Sequence, residues 1–269
     1  MKSVHKLILI LSIPTLLFSC EEDEDKNFQT DLSLEANQLF GVSTAWGESL
    51  YFGLLNFEDY SQIPSAELPG CPNILIESVE KRVTLTFDPT TICEQSGTVK
   101  RTGKLILQYP LISSNSLPRT LTYQGYTFQN DTIRGAREFS IIAFNQVKET
   151  FINLETTSNK ELNTTFSGNL NHSITKLRNK LIGLSSSGSI SGTNSTGRNF
   201  SIDISSPRQS LAACFSQNEI LPIAGKENWT IDRGQSRVVI HSINYESSGS
   251  CTVTAKVTLS DGRNLLVIP

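Results

Sequence analysis

The sequence has few of the residues that enzymes use for metal binding and nucleophilic catalysis. Of three histidines, only His172, in a segment that we interpret as a polar loop, and His241, in a predicted strand, lie beyond the N-terminal segment. Neither has a second ligand at a short metal spacing. No dinucleotide or phosphate-loop motif occurs, and Ile190 stands where a nucleophile elbow requires serine. We therefore predict no catalytic residue, no metal site and no cofactor, and an enzyme is the weaker interpretation.

A strong charge imbalance is also missing. The chain has 23 basic and 26 acidic residues, and the five acids of residues 21–25 account for the excess once two N-terminal lysines are set aside. The rest of the chain is neutral. Binding to nucleic acid needs clustered lysine and arginine, so we predict no nucleic-acid partner.

The single long apolar run lies at the N-terminus. Lys2 and Lys6 precede residues 7–18, which are apolar except for one serine, one proline and one threonine. A transmembrane helix needs about 20 apolar residues, whereas a signal peptide has this shorter layout. We predict that residues 1–19 are a cleaved signal peptide.

The end of this segment resembles the lipobox of bacterial lipoproteins. Leu17 lies three residues before Cys20, and the small Ser19 directly precedes it. The resemblance implies cleavage after Ser19 and acylation of Cys20 with palmitate-type chains; the alternative is an ordinary secretory signal. One acyl chain anchors a protein only marginally, but the two or three that the resemblance implies would hold it to a membrane.

Residues 20–30 are predicted to form an acidic tether. A run of like charges is usually a solvated segment that repels itself and extends. Its position also resembles the signal that directs lipoproteins of the Bacteroidota to the outer face of the outer membrane. We therefore expect a lipid-anchored protein at the cell surface, with the periplasmic face as the alternative.

Four further cysteines, an even number, predict two disulfide bonds outside the cytosol. The sequence permits three pairings. We favour Cys71 with Cys93 and Cys214 with Cys251, because each pair encloses a local group of strands. Loops of these lengths should stabilise the fold by roughly 3–4 kcal/mol each.

Residues 31–60 have the apolar spacing of an amphipathic helix that packs on a sheet. Asp31 or Ser33 could cap its start. Internal glycines such as Gly41 and Gly47 weaken it, so a broken helix is as consistent with the sequence as a straight one.

From residue 71 onwards, apolar and polar residues alternate with a period of two. The clearest runs are residues 82–87, 104–109, 200–204 and 252–259. Such runs predict half-buried antiparallel strands, and Asp261-Gly262 is a strong hairpin signal. We predict an all-β protein of antiparallel sheets, a sandwich or an open barrel-like fold, with one N-terminal helix.

A stretch rich in Ser, Asn and Thr at residues 156–168 is the best candidate boundary within the β region. It would separate a first half, residues 61–155, from a second half, residues 169–269. Each half has the order cysteine, alternating strand, cysteine, alternating strand. A pseudo-repeat is one interpretation, and similarity of composition is the other.

Several of these segments together resemble a family of Bacteroidota surface lipoproteins of unknown function. The shared pattern consists of Cys71-Pro72, the strand 83–88, Cys93, Gly97 with the strand 100–107, and the closing segment Ser250-Cys251-Thr252-Val253-Thr254 with Asp261-Gly262-Arg263. Its motifs are structural. The resemblance therefore implies a cellular location and a fold, and it carries over no catalytic residue.

Candidate binding residues are few. Tyr123, Tyr126 and Trp229 could form an exposed aromatic platform for sugar rings, although aromatic residues in strands more often belong to the core. Thr132, in Asp131-Thr132-Ile133, fits a short O-glycosylation motif that also arises by chance.

Two functions remain. One is a non-catalytic binding or structural β module for glycans or envelope proteins. The other is a surface polysaccharide hydrolase using carboxylates among Asp88, Glu138, Asp203 and Asp232.

Overall fold

A computed structural model describes residues 31–91, 93, 99–111, 117–178, 180–217, 219–234, 237–249 and 251–267. The predicted signal peptide, Cys20 and the acidic tether lie outside these residues. The helices are α1 (Leu32–Gly47), α2 (Leu50–Leu54) and α3 (Ala212–Ser216), with 3₁₀ turns at Glu58–Ser61 and Ser65–Glu67. None of the described helices is long and apolar enough to span a bilayer.

The all-β prediction is confirmed, because fourteen strands form one antiparallel sheet. Their bounds are β1 (Asn73–Glu77), β2 (Arg82–Phe87), β3 (Arg101–Gln108), β4 (Arg119–Phe128), β5 (Asp131–Arg134), β6 (Ala136–Ala143), β7 (Gln146–Thr157), β8 (Asn163–Leu177), β9 (Lys180–Thr193), β10 (Asn199–Leu211), β11 (Ala224–Asp232), β12 (Val238–Ser247), β13 (Val253–Thr258) and β14 (Asn264–Val267). The strands follow one another as a meander, except that β4 and β7 each pair with both β5 and β6.

Helix α1 begins as predicted, with the Asp31 carboxylate accepting a hydrogen bond from the Ser33 amide at 2.9 Å. It ends at Gly47, and α2 starts three residues later, so the helical segment is broken. From Ala36 onwards the helix is buried on almost all sides, which a single apolar stripe does not predict.

The burial of α1 follows from the curvature of the sheet. Around the end of α1, Glu48 contacts Arg101 on β3, and Ser43 contacts Tyr245 on β12. In a flat sheet, β3 and β12 would lie about 40 Å apart at roughly 4.8 Å per strand. The sheet must therefore curl around the helix, and its concave face and α1 share one continuous core.

The alternating strands place one face in this core, as β2 illustrates with Val83, Leu85 and Phe87 buried between half-buried neighbours. The predicted hairpin at Asp261-Gly262 is present, since Leu259 donates its amide to the Arg263 carbonyl.

The predicted boundary at residues 156–168 does not separate domains. It contains the end of β7, the following turn and the start of β8, and these two strands pair along much of their length. Residues Asp31–Pro269 form one compact unit. Serine, threonine and asparagine are compatible with long strands that have one solvated face, so the composition of this stretch does not by itself mark a linker.

Both disulfide pairings are as predicted. Cys71 bonds Cys93, and Cys214 bonds Cys251, with Cα–Cα distances of 5.7 and 5.1 Å. The first closes the β1–β2 region, and the second joins α3 to the start of β13.

Candidate functional site

The interface between α1 and the sheet contains an unusual number of buried charges. Four glutamates and four arginines are buried in the described part of the chain: Glu35, Glu48, Glu149, Glu227, Arg101, Arg119, Arg137 and Arg208. Burying a charge is costly unless it is paired and hydrogen-bonded. The pairing of these groups therefore determines whether they form a reactive site or a structural one.

Glu149 on β7 is the most heavily coordinated of these groups. Its carboxylate accepts hydrogen bonds from Arg137 Nε at 2.6 Å and from Trp46 Nε1 at 3.1 Å, and His172 Nε2 lies 2.9 Å away. Burial raises the pKa of Glu149, but the Arg137 charge and the hydrogen bonds from His172 and Arg137 outweigh it and lower the pKa to about 2. At neutral pH the carboxylate is therefore an anion, and it fixes Trp46 of α1 to the sheet.

A second group joins the middle of α1 to β10, β11 and β12. Arg208 donates to Glu227 at 2.7 Å and to Ser43 Oγ at 2.7 Å. Trp229 Nε1 donates to the other Glu227 oxygen at 2.8 Å. The Tyr245 hydroxyl completes the group, 3.2 Å from Ser43.

A third group lies at the end of the helical segment. Arg101 Nε is 3.3 Å from the Glu48 carboxylate, whose pKa is raised by burial against the opposing Arg101 charge. Arg119 donates to the carbonyl oxygens of Leu54 and Leu55 at 3.2 and 3.3 Å. These carbonyls end α2, where a cation interacts favourably with the helix dipole.

One part of the first group has the composition of a catalytic triad. His172 Nδ1 lies 2.9 Å from Ser186 Oγ, while Nε2 faces Glu149. All three side chains are at most 1% exposed, and none lines a cavity described below. Since a nucleophile must reach its substrate, we assign this relay a structural role.

The interpretation of His172 as a loop residue was wrong. It lies on β8, between Val147 on β7 and Ser186 on β9. Cross-strand register creates the relay, and no local spacing in the sequence reveals it. His241 is a strand residue, as predicted, and it accepts a hydrogen bond from the Ser260 amide.

The predicted aromatic platform was wrong. Tyr123 is 7% exposed, and Tyr126 and Trp229 are fully buried. Their polar atoms are used inside the protein, since Tyr126 donates to Glu48 at 2.8 Å and the Tyr123 hydroxyl lies 2.6 Å from Ser49. These rings face the helix because their positions belong to the concave side of strands that pack against it.

Thr132 is half-buried on β5, between Thr127 and Thr157 on the neighbouring strands. The acidic residues considered for hydrolysis are exposed and lie on or just after four different strands: Asp88, Glu138, Asp203 and Asp232. None of these four acids lines a described cavity, so the structure does not bring them together as a carboxylate pair in a groove.

A groove of about 270 Å³ lies between α1 and the β4–β5 hairpin. Its lining combines apolar residues, Phe40, Ala45, Phe128 and Ile133, with Gly41 and the polar residues Asn37, Thr44, Gln129 and Asp131. A Cβ atom added at Gly41 would meet no atom of another part of the described chain within 4 Å. The groove is therefore open directly above the helix backbone.

Two polar groups of this groove lack partners within the described residues. Thr44 is 7% exposed, and its hydroxyl has no hydrogen-bond partner there. Asp131 is half-buried, no cation of the described chain pairs with it, and burial raises the pKa of its carboxyl. An unpaired buried polar atom such as the Thr44 hydroxyl oxygen is costly, whereas the half-buried Asp131 carboxyl remains accessible to water.

Two other cavities are weaker candidates for a ligand site. One, of about 170 Å³, lies between α2 and α3 and has Asp59, Glu67 and Lys180 in its lining. The other, about 540 Å³ and shallow, lies beside Cys251 and has no charged residue in its lining. In neither does the described part of the chain leave a buried polar side-chain atom unpaired.

The sequence analysis did not predict the groove. The two residues that could have indicated it, Gly41 and Asp131, have other interpretations in the sequence alone. Gly41 stands out only as a helix-weakening residue, and Asp131 only as part of a glycosylation motif.

Compared with protein-family models, curated proteins and solved structures, the chain has no match in any of the three.

Proposed function

We propose that the protein is a lipid-anchored binding module of the cell envelope, with no catalytic activity, that uses the α1–β5 groove as its ligand site. The observation that carries the binding role is the open groove with two polar groups, Thr44 and Asp131, that lack partners in the described chain. Binding pockets typically combine apolar walls with a few polar groups that orient the ligand.

The fate of the buried charges supports a non-catalytic role. Glu149, Glu227 and Glu48 are all engaged with arginine inside the protein. They hold α1 within the sheet, and substrate has no path to them through the described cavities. The residues with the strongest chemistry are therefore committed to structure.

The proposed location at the cell envelope rests on the sequence and is supported by the disulfides. Both bonds persist only in an oxidising compartment or where reductants are excluded. This agrees with export by the signal peptide and anchoring through Cys20 to the outer membrane.

The anchor is tested by Cys20→Ser. We expect the wild-type protein to carry acyl mass on Cys20 and to sediment with membranes, and the variant to lose both properties, because acyl chains supply the membrane affinity. Intact mass and fractionation measure this, and an unchanged membrane fraction for the variant would refute the anchor.

The groove is tested by substitutions at Gly41, where added atoms meet open space. We expect the protein to bind a sugar unit on an array of bacterial and host glycans, because the groove combines apolar side chains with a carboxylate, two amides and a hydroxyl. Gly41→Leu should fill the groove and weaken the best-binding glycan at least tenfold, measured by calorimetry.

The control for this experiment is Gly41→Ala, which adds only one methyl group. It should keep glycan binding and raise the unfolding free energy by about 1 kcal/mol, because alanine favours a helix interior over glycine. Equal binding by wild type and Gly41→Leu would exclude the groove as the site, and failure of every glycan would exclude the ligand class.

A further inference from the structure

Two neighbouring hairpins expose large apolar side chains at one end of the sheet. Phe144, in the β6–β7 turn, is 92% exposed, and Ile142 beside it is 55% exposed. Leu177, at the end of β8, is 61% exposed. We call the described residues of these two turns, 141–146, 175–178 and 180–182, the hairpin tip.

The two turns are held together and project to different heights. Ile174 donates its amide to the Asn145 carbonyl at 2.8 Å, which ties the β6–β7 turn to β8. Beyond this bond, β8 continues for three residues, with Lys176 opposite Leu181 and Leu177 opposite Lys180. At about 3.3 Å per residue, this hairpin projects roughly 10 Å past its neighbour.

The tip is also basic. Lys176, Arg178 and Lys180 are exposed, and no ion pair of the described chain includes any of them. Residues 139–148 and 170–186 contain no Asp or Glu. Lys180 lines the cavity that also contains Asp59 and Glu67, so Lys176 and Arg178 provide the positive charge that faces outward.

We propose that the hairpin tip inserts into the surface of an anionic phospholipid membrane. Exposed apolar side chains beside lysine and arginine are the combination that binds the headgroup region of such a membrane. A protein partner fits less well, because specific interfaces need about 800 Å² from each side, whereas the tip is two narrow projecting turns.

The hairpin tip is separate from the start of α1. Lys180 begins β9 and Thr193 ends it, so the strand has 14 residues between the two ends inclusive. Arg198, just past that end, bonds Glu35 in the first turn of α1. The tip and the start of α1 therefore lie at opposite ends of the strands, and removal of the acyl chains leaves the tip intact.

The experiment uses the full mature chain, residues 20–269, with Cys20→Ser so that no acyl chain contributes. Its partition onto phosphatidylglycerol-containing vesicles is compared with that onto pure phosphatidylcholine vesicles by flotation. We expect binding to the anionic vesicles that weakens as salt is raised. Lys176→Gln with Arg178→Gln should weaken it about 30-fold, at roughly fivefold per charge, and Phe144→Ser about tenfold or more.

Matched controls change equally exposed residues elsewhere on the sheet. Lys226→Gln with Lys256→Gln removes two charges from β11 and β13, and Leu266→Ser removes an apolar side chain, 73% exposed, from β14. These controls should bind like the parent chain. The proposal is overturned if the parent floats with neither vesicle, or if tip variants and controls lose affinity equally; capture of an acidic protein without vesicle binding would also overturn it.

Discussion

Replacing Glu149 with glutamine should lower the free energy of unfolding by about 3–5 kcal/mol, measured by chemical denaturation at pH 7. The substitution removes the anion that neutralises Arg137 at 2.6 Å and that accepts the Trp46 hydrogen bond. Arg137 would then be a fully buried cation without its partner, and a single broken buried pair costs more than the intact pair contributes.

The matched control lies on the same strand. Glu155 is 3.7 Å from Arg134 in an exposed pair, so Glu155→Gln should cost less than about 1 kcal/mol. The double variant Arg137→Met with Glu149→Leu removes both charges and should be more stable than Glu149→Gln alone. Equal losses for the two glutamine variants would contradict the role of the buried network.

The same residue predicts a pH dependence. The pKa of Glu149 is about 2 in the folded protein and near 4.5 when the carboxyl is unperturbed. A depressed folded pKa contributes stability above the unfolded pKa, and that contribution is lost as pH falls from about 4.5 towards 2. Glu48, whose pKa is raised, acts in the opposite direction, so the difference between wild type and Glu149→Gln across this interval isolates Glu149.

Removing both disulfides should have the largest effect on stability, about 7 kcal/mol in total at roughly 3–4 kcal/mol each. The reason is loop closure, since the bonds join residues 22 and 37 positions apart and restrict the unfolded chain. Cys71→Ala with Cys93→Ala, and Cys214→Ala with Cys251→Ala, measure each bond separately by denaturant unfolding.

The second bond should matter more, because its loop is longer and Cys214 is buried in the core. Unfolding of the wild-type protein in the presence of a reductant is the control, since it leaves the side-chain volume unchanged. A midpoint that does not move with reductant would contradict the contribution of these bonds.

The strands were predictable where one face is apolar and the other polar. Residues 82–87 match β2, and the final hairpin lies at Asp261-Gly262, because local alternation and turn chemistry dictate both. By contrast β8 and β9, of 15 and 14 residues, are rich in serine, glycine and asparagine, and their strand structure depends on pairing with neighbours.

The buried polar groups show why the site was less predictable than the fold. Glu149, His172 and Ser186 are separated by 23 and 14 residues, and each alone reads as a solvated residue of a strand or loop. They meet only because β7, β8 and β9 pair in one register. The same register turns Tyr123, Tyr126 and Trp229 inward, against the predicted platform.

The sequence by itself predicted the antiparallel strands, the capped start of the helix and the favoured one of three disulfide pairings, because each depends on local pattern or on residues that lie near one another along the chain; whether the helix is broken was left open. Only the tertiary structure decided that the sheet encloses α1, that arginines and glutamates meet inside it, and that open space lies above Gly41. These features depend on sheet curvature, which sums small twists over fourteen strands and has no signature in any single segment.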